Sequence, residues 1–102
     1  MDWMNNPDYK LYRVRLSKAH REKALKEYPH QRLYETFSQL VEKFLLNLNE
    51  NTHLLTETRH NERVSIWIDA GVSNRVVTRA MVFKVTPSRV VYTAIVLGLE
   101  QL

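Results

Sequence analysis

The sequence predicts an α+β fold that is mostly helical, with two β-α-α units whose strands pair as a two-stranded antiparallel ribbon over four helices. Three observations favour this fold. A short run of alternating apolar and polar residues, Arg63 to Asp69, is followed by two helical patterns that meet at a Thr-Pro pair. The same order of strand, helix, proline-marked turn and helix occupies the first half of the chain. A polar stretch, residues 49–62, joins the halves.

The composition limits the classes of protein to consider. A chain of 102 residues with 44% hydrophobic and 25% charged residues predicts one folded domain, residues 1–102. The absence of cysteine excludes disulfides, thiolate metal sites and a cysteine nucleophile. Two glycines, Gly71 and Gly98, are too few for a glycine-rich phosphate loop. No apolar run reaches the roughly 20 residues of a membrane span, and no signal peptide is visible, so a cytoplasmic, nucleoid-associated protein without a membrane partner is expected.

The charge is unevenly distributed. The net charge is +4 and the pI about 9.6. Residues 1–48 hold nine Lys/Arg against six Asp/Glu, residues 63–102 hold five against two, and residues 49–62 hold one against three. Two basic blocks joined by an acidic bridge are typical of a protein in which both blocks meet one polyanion and the bridge stays away from it.

The first unit is predicted at residues 10–48, after an arm at residues 1–9. Its strand alternates Tyr12, Val14 and Leu16 with Arg13 and Arg15. A short helix with a narrow apolar stripe follows. Ser17 is its predicted N-cap, and Pro29 ends it. Its apolar stripe consists of Ala24, Leu25 and Tyr28. A second helix carries an apolar stripe of 3.6-residue period: Leu33, Phe37, Leu40, Val41, Phe44 and Leu48.

The second unit is predicted at residues 63–102, after a connector at residues 49–62. Asp69 or Ser73 is expected to cap its first helix, whose buried stripe is Val72, Val76, Ala80 and Phe83. Thr86 followed by Pro87 is a strong signal for the start of the next helix. That helix is rich in β-branched residues, which favour it poorly in isolation, so packing is expected to hold it.

The order of elements resembles the ribbon–helix–helix family of DNA-binding proteins. In the second half, the number of residues from Ile68, at the end of the strand, to Thr86, the cap of the second helix, suits the usual spacing in this family. In the first half, the distance from Leu16 to Pro29 is several residues shorter, which predicts a first helix shorter by a turn or more. Two such units in one chain are similar to the TraY-like accessory proteins of conjugative plasmids and imply a covalent pseudo-dimer. The connector would then carry the chain from the last helix of one unit to the strand of the other.

The resemblance implies double-stranded DNA as the partner. The outward positions of the ribbon are the candidate base-reading residues: Arg13, Arg15, Arg63, Ser65 and Trp67. Arginine pairs bidentately with guanine, and serine bonds to several bases. The candidate phosphate-binding residues open the last helix of each unit: Thr86, Ser88 and Arg89 in the second, His30 and Gln31 in the first. If the strands pair within one chain, they present different side chains and an asymmetric site is expected, whereas a homodimer that pairs the second strand with its own copy would favour an inverted repeat.

Enzymatic activity is not expected. The four histidines lack the i, i+4 spacing of a helical metal pair, and no nucleophile, base and oxyanion set can be assembled, so neither a metal nor another cofactor is predicted. The expected roles are a transcriptional repressor or an accessory factor of a plasmid or other mobile element, with self-association on longer DNA. The alternative is a protein-interaction module, antitoxin-like or a small viral inhibitor. A third arrangement confines DNA binding to residues 63–102 and makes residues 10–48 a helical hairpin for oligomerisation.

Overall fold

The computed structural model describes residues 8–29, 32–57 and 61–101. In chain order its elements are β1 (Tyr9–Arg15), α1 (Lys18–Glu27), α2 (Leu33–Asn47), β2 (Arg63–Asp69), α3 (Ala70–Phe83) and α4 (Pro87–Glu100). Across these described ranges, the prediction of a mostly helical α+β fold with two strands and four helices is confirmed. Tyr9 belongs to β1 and not to the predicted arm. Within the described residues, no single helix is long and apolar enough to cross a membrane; α3 and α4 meet that requirement only together, across a 107° bend.

The two strands pair antiparallel within one chain, as predicted. Tyr12 lies opposite Ile66 and Val14 opposite Val64, and the pairing runs from Tyr9 with Asp69 to Arg15 with Arg63. Tyr12, Val14, Ile66 and Ile68 are buried. Because directly opposed residues of an antiparallel pair lie on the same face, one face of the ribbon covers the core and the other faces away from it.

Three helices begin at the caps that the sequence predicts. The side chains of Ser17, Asp69 and Thr86 accept hydrogen bonds from backbone N–H groups three residues further along, which are otherwise without partners at a helix start. Ser73, the other candidate cap of α3, is instead buried and lies 2.7 Å from the Tyr12 hydroxyl. Helix α1 spans 10 residues and α3 spans 14, which confirms the shorter first helix of the first unit.

Helix α4 lies at the centre of the molecule. Every residue from Val90 to Val96 is buried, and so is Leu99, so packing surrounds most of the helix and supports its β-branched sequence. It packs against α1, α2, α3 and β1. At Gly98 the approach to α2 is close, because a Cβ placed there would lie 2.9 Å from Leu40 Cδ2.

Some predicted buried residues differ in the structure. Leu25, expected on the buried stripe of α1, is 54% exposed. The reason is that α1 is amphipathic only weakly and buries Ala24 alone. On α2 the stripe includes Leu45, which was not predicted, while Phe44 and the C-cap residue Leu48 are partly buried. The α2 stripe is therefore displaced toward Leu45 at its C-terminal end.

The described part of the connector follows the surface of α4. Leu54 is buried in the core, and the Leu55 amide donates to Thr93 Oγ1 at 2.9 Å. Arg89 Nη2 donates to the Leu54 carbonyl at 2.8 Å, and its Nε donates to the Leu55 carbonyl at 3.1 Å. Since an unpaired polar backbone group is costly once removed from water, these bonds fix the path of the chain between the units.

Candidate nucleic-acid interface

The face of the ribbon turned away from the core brings the predicted base-reading residues together. We call it the outer face and define it by three cross-strand pairs: Leu11 with Trp67, Arg13 with Ser65, and Arg15 with Arg63. Arg13, Ser65 and Arg63 are exposed, whereas Arg15 and Trp67 are half-buried. Successive side chains on one face of a strand lie about 6.6 Å apart. The outer face is thus one side of a two-stranded ribbon, and two-stranded ribbons are among the elements that a DNA major groove admits.

Two arginines lie directly opposite each other at one end of the ribbon. Like charges in opposed positions of an antiparallel pair destabilise it, so Arg15 and Arg63 repel each other. Part of that repulsion is offset, because Arg15 Nη1 donates to the Asn61 carbonyl at 3.0 Å and the Arg15 amide donates to Glu57 Oε2 at 3.1 Å.

The other end of the ribbon is aromatic and apolar. Leu11 is 40% exposed and lies opposite Trp67. At the next pair, the Tyr9 ring meets the Tyr34 ring edge-on, with 4.9 Å between centroids. The hydrogen bond with Tyr34, together with desolvation, raises the pKa of Tyr9 above its ordinary value. This end therefore presents ring edges and a leucine side chain, with Asp69 beyond them.

The predicted phosphate-binding residues at the start of α4 differ in their exposure and in their hydrogen bonds. Thr86 is exposed, and its hydroxyl caps α4 by accepting from the Arg89 amide at 3.3 Å. Ser88 is half-buried in the first turn of the helix. The Arg89 side chain turns toward the connector, where two of its N–H groups are engaged. The matching residues of the first unit, His30 and Gln31, lie outside the described residues.

Leu11 is the outer-face residue that the sequence prediction missed. Its position was available from the alternation, because Leu11, Arg13 and Arg15 share one parity. The alternation that the sequence predicts starts at Tyr12, whereas β1 begins at Tyr9 and so includes Leu11.

A groove of about 840 Å³ follows the edge of β2 that is not paired with β1. Its walls are residues 62 and 64–67 of the strand side, Leu25 and Arg21 of α1, and Tyr34 and Phe37 of α2. Arg21 Nη2 donates to Glu62 Oε2 at 3.2 Å, while Arg21 Nε is buried without a partner in the described part of the chain. Trp67 borders both this groove and the outer face.

Among the described residues, no group of three or more His, Cys, Asp or Glu is arranged to hold a metal ion. Asp69, a lone carboxylate at the end of β2, accepts a hydrogen bond from the Val72 amide at 3.2 Å and so acts as a helix cap. The candidate functional features of the described residues are therefore the outer face, the start of α4 and the groove beside β2. Comparisons with protein-family models, curated proteins and solved structures found no match to this chain.

Proposed function

We propose that the chain is a sequence-specific double-stranded DNA-binding protein that inserts the outer face of its β1–β2 ribbon into the major groove. The observation that carries this proposal is the pairing of two β-α-α units within one chain. The pairing leaves Arg13, Ser65 and Arg63 exposed on a ribbon whose opposite face is buried. A two-stranded ribbon fits the major groove, and arginine and serine are suited to base edges.

The order and pairing of the elements support a ribbon–helix–helix pseudo-dimer. In that arrangement α2 and α4 are the equivalent second helices, and they pack against each other next to Gly98. Each strand obtains its antiparallel partner from the other half of the same chain. The connector joins the halves and is tied to α4 by Arg89.

The start of α4 is the proposed phosphate contact. The amide groups of the first helical turn and the positive end of the helix dipole favour an anion there. Thr86 and Ser88 contribute hydroxyl groups at this point. Phosphate contacts set affinity and orientation, while the ribbon selects the sequence. The role in the cell is that of a nucleoid-associated transcriptional repressor or an accessory factor of a mobile element, without enzymatic activity.

The experiment compares binding to DNA from around the protein's own gene with binding to scrambled DNA of the same length, by fluorescence anisotropy at two salt concentrations. The double variant Arg13→Ala/Arg63→Ala should lose discrimination by about 1–3 kcal/mol for each bidentate contact. The matched control is Lys43→Ala/Arg79→Ala, which removes the same charge from exposed positions of α2 and α3. The control should weaken both kinds of DNA to a similar small extent and keep the discrimination.

Two results would contradict the proposal. The first is that the wild-type protein prefers no sequence, neither its own upstream DNA nor any sequence selected from a randomised pool. The second is that the ribbon variant keeps its discrimination, or loses no more of it than the control, because the ribbon would then not be the element that selects the sequence.

The groove beside β2 favours a second candidate function, a protein-interaction module. An extended peptide can add to the exposed edge of a sheet, with its side chains in adjacent apolar pockets. Leu25→Glu places a charge in this groove at a position that is already 54% exposed, and Leu46→Glu is the matched control at a 75% exposed position of α2. Peptides selected from a displayed library should lose binding only with Leu25→Glu. Equal binding by both variants would exclude the groove as the peptide site.

A further inference from the structure

The strand register makes the two ends of the outer face chemically different. From one end to the other, the cross-strand pairs are Leu11 with Trp67, Arg13 with Ser65, and Arg15 with Arg63. The sequence predicts a difference between the two strands, but antiparallel pairing converts it into a difference between the two ends. The apolar residues of both strands fall at one end, and an arginine from each strand falls at the other.

The arginine end is suited to guanine. Arg63 of the end pair and Arg13 of the adjacent middle pair are exposed. Arg15 is held by the Asn61 carbonyl, which fixes the direction of its guanidinium. Guanine offers O6 and N7 as two adjacent acceptors in the major groove, and a guanidinium donates to both.

The apolar end is suited to thymine. Leu11 and Trp67 offer aliphatic and aromatic surface and no cation, and the C5-methyl group of thymine is the apolar feature of the major groove. The carboxylate beyond them, Asp69, is occupied in capping α3. Lys10 is exposed nearby, but it lies opposite Ile68 and so has the parity of the core-facing residues.

We infer that the DNA target has two unlike halves, with guanine under the arginine end and thymine under the Leu11–Trp67 end. This inference rests on the proposed function. The end pairs are four residues apart along each strand, or about 13 Å. With a rise of about 3.4 Å per base pair, the guanine and thymine positions are about four base pairs apart.

The test uses the wild-type protein and its best site from a randomised duplex pool. Thymine is replaced by uracil, which lacks the methyl group, in one half of the site at a time. Guanine is replaced likewise by 7-deazaguanine, which lacks the N7 acceptor. Uracil should weaken binding in one half only, about fourfold for each methyl contact. The guanine analogue should weaken binding severalfold or more, and only in the other half.

Two variants link each half to its end of the ribbon. Leu11→Ala should remove the sensitivity to uracil, and Arg63→Ala the sensitivity to 7-deazaguanine. Both positions are exposed, so each variant should fold, and circular dichroism is the check. A palindromic selected site, with equal sensitivity in both halves, would overturn this inference and leave DNA binding intact. The same holds if both variants affect the same half. A pool that enriches no sequence would overturn the proposed function as well.

Discussion

Replacing Arg89 separates the structural role of this arginine from a role in DNA binding. Its guanidinium donates to the carbonyls of Leu54 and Leu55, which belong to the connector, whereas the sequence predicts that it binds phosphate. We expect Arg89→Ala to destabilise the fold, because the change leaves both carbonyls without their donor. Arg89→Lys retains the positive charge but not the two-pronged geometry, so it should destabilise the fold by an intermediate amount.

The magnitude follows from the number of bonds and their surroundings. A hydrogen bond to a charged group contributes about 1.5–3 kcal/mol. Arg89 forms two such bonds, at 2.8 and 3.1 Å, and it is half-buried, so water partly competes for them. We expect a loss of about 2–3 kcal/mol for Arg89→Ala and about half of that for Arg89→Lys. Against a typical stability of about 5–15 kcal/mol, the larger loss is easily measured.

Urea unfolding followed by circular dichroism gives both free energies. The control is Arg79→Ala, an exposed arginine of α3, which should change the stability by no more than about 0.5 kcal/mol. An effect of Arg89→Ala as small as that of the control would refute the structural role. If Arg89 also binds phosphate, folded Arg89→Ala should bind specific and random DNA more weakly by the same factor, with a salt slope smaller by about 1. Arg89→Lys should then retain most of the affinity.

Two further predictions concern the core. Tyr12→Phe should cost about 1–2 kcal/mol in urea unfolding, because it leaves the buried Ser73 hydroxyl without its 2.7 Å partner. The double variant Tyr12→Phe/Ser73→Ala should lose less free energy of unfolding than the two single variants lose together. Strictly additive losses would contradict the hydrogen bond between these side chains. Gly98→Ala should be nearly neutral, since helix propensity offsets a small shift of Leu40 Cδ2, whereas Gly98→Val should cost about 1–3 kcal/mol. Equal stability of the two Gly98 variants would show that α2 and α4 do not approach closely there.

The elements were predictable where the signal is local. Three signals act over only a few residues: a capping side chain three residues before a backbone amide, a proline at the first helical position, and an alternating strand pattern. These signals predicted α3, α4 and β2. The antiparallel pairing was also predictable, because a two-stranded ribbon requires a partner and the chain offers two candidate strands.

The register and the contacts of long side chains were not predictable in the same way. Alternation assigns each residue to a face of a strand, but it does not decide which residue lies opposite it. The pairing of Leu11 with Trp67 therefore appears only in the structure. Similarly, the sequence gives the charge of Arg89 and not its direction, which depends on where the connector passes. Leu25 shows the same limit, since a weakly amphipathic helix does not fix which side it buries.

The covalent connection between the units is what allows the two ends of the ribbon to differ. In a symmetric homodimer, the two-fold axis repeats every outward side chain at both ends, so arginine and leucine would occur in both halves of the interface. In one chain, the two strands have independent sequences, and the register sorts them into an arginine end and an apolar end. To recognise a DNA site with two unlike halves, the two units must keep a fixed position relative to each other. The hydrogen bonds from Arg89 to the connector carbonyls and from the Leu55 amide to Thr93 hold the connector to α4, and so help to keep the two units in that relative position.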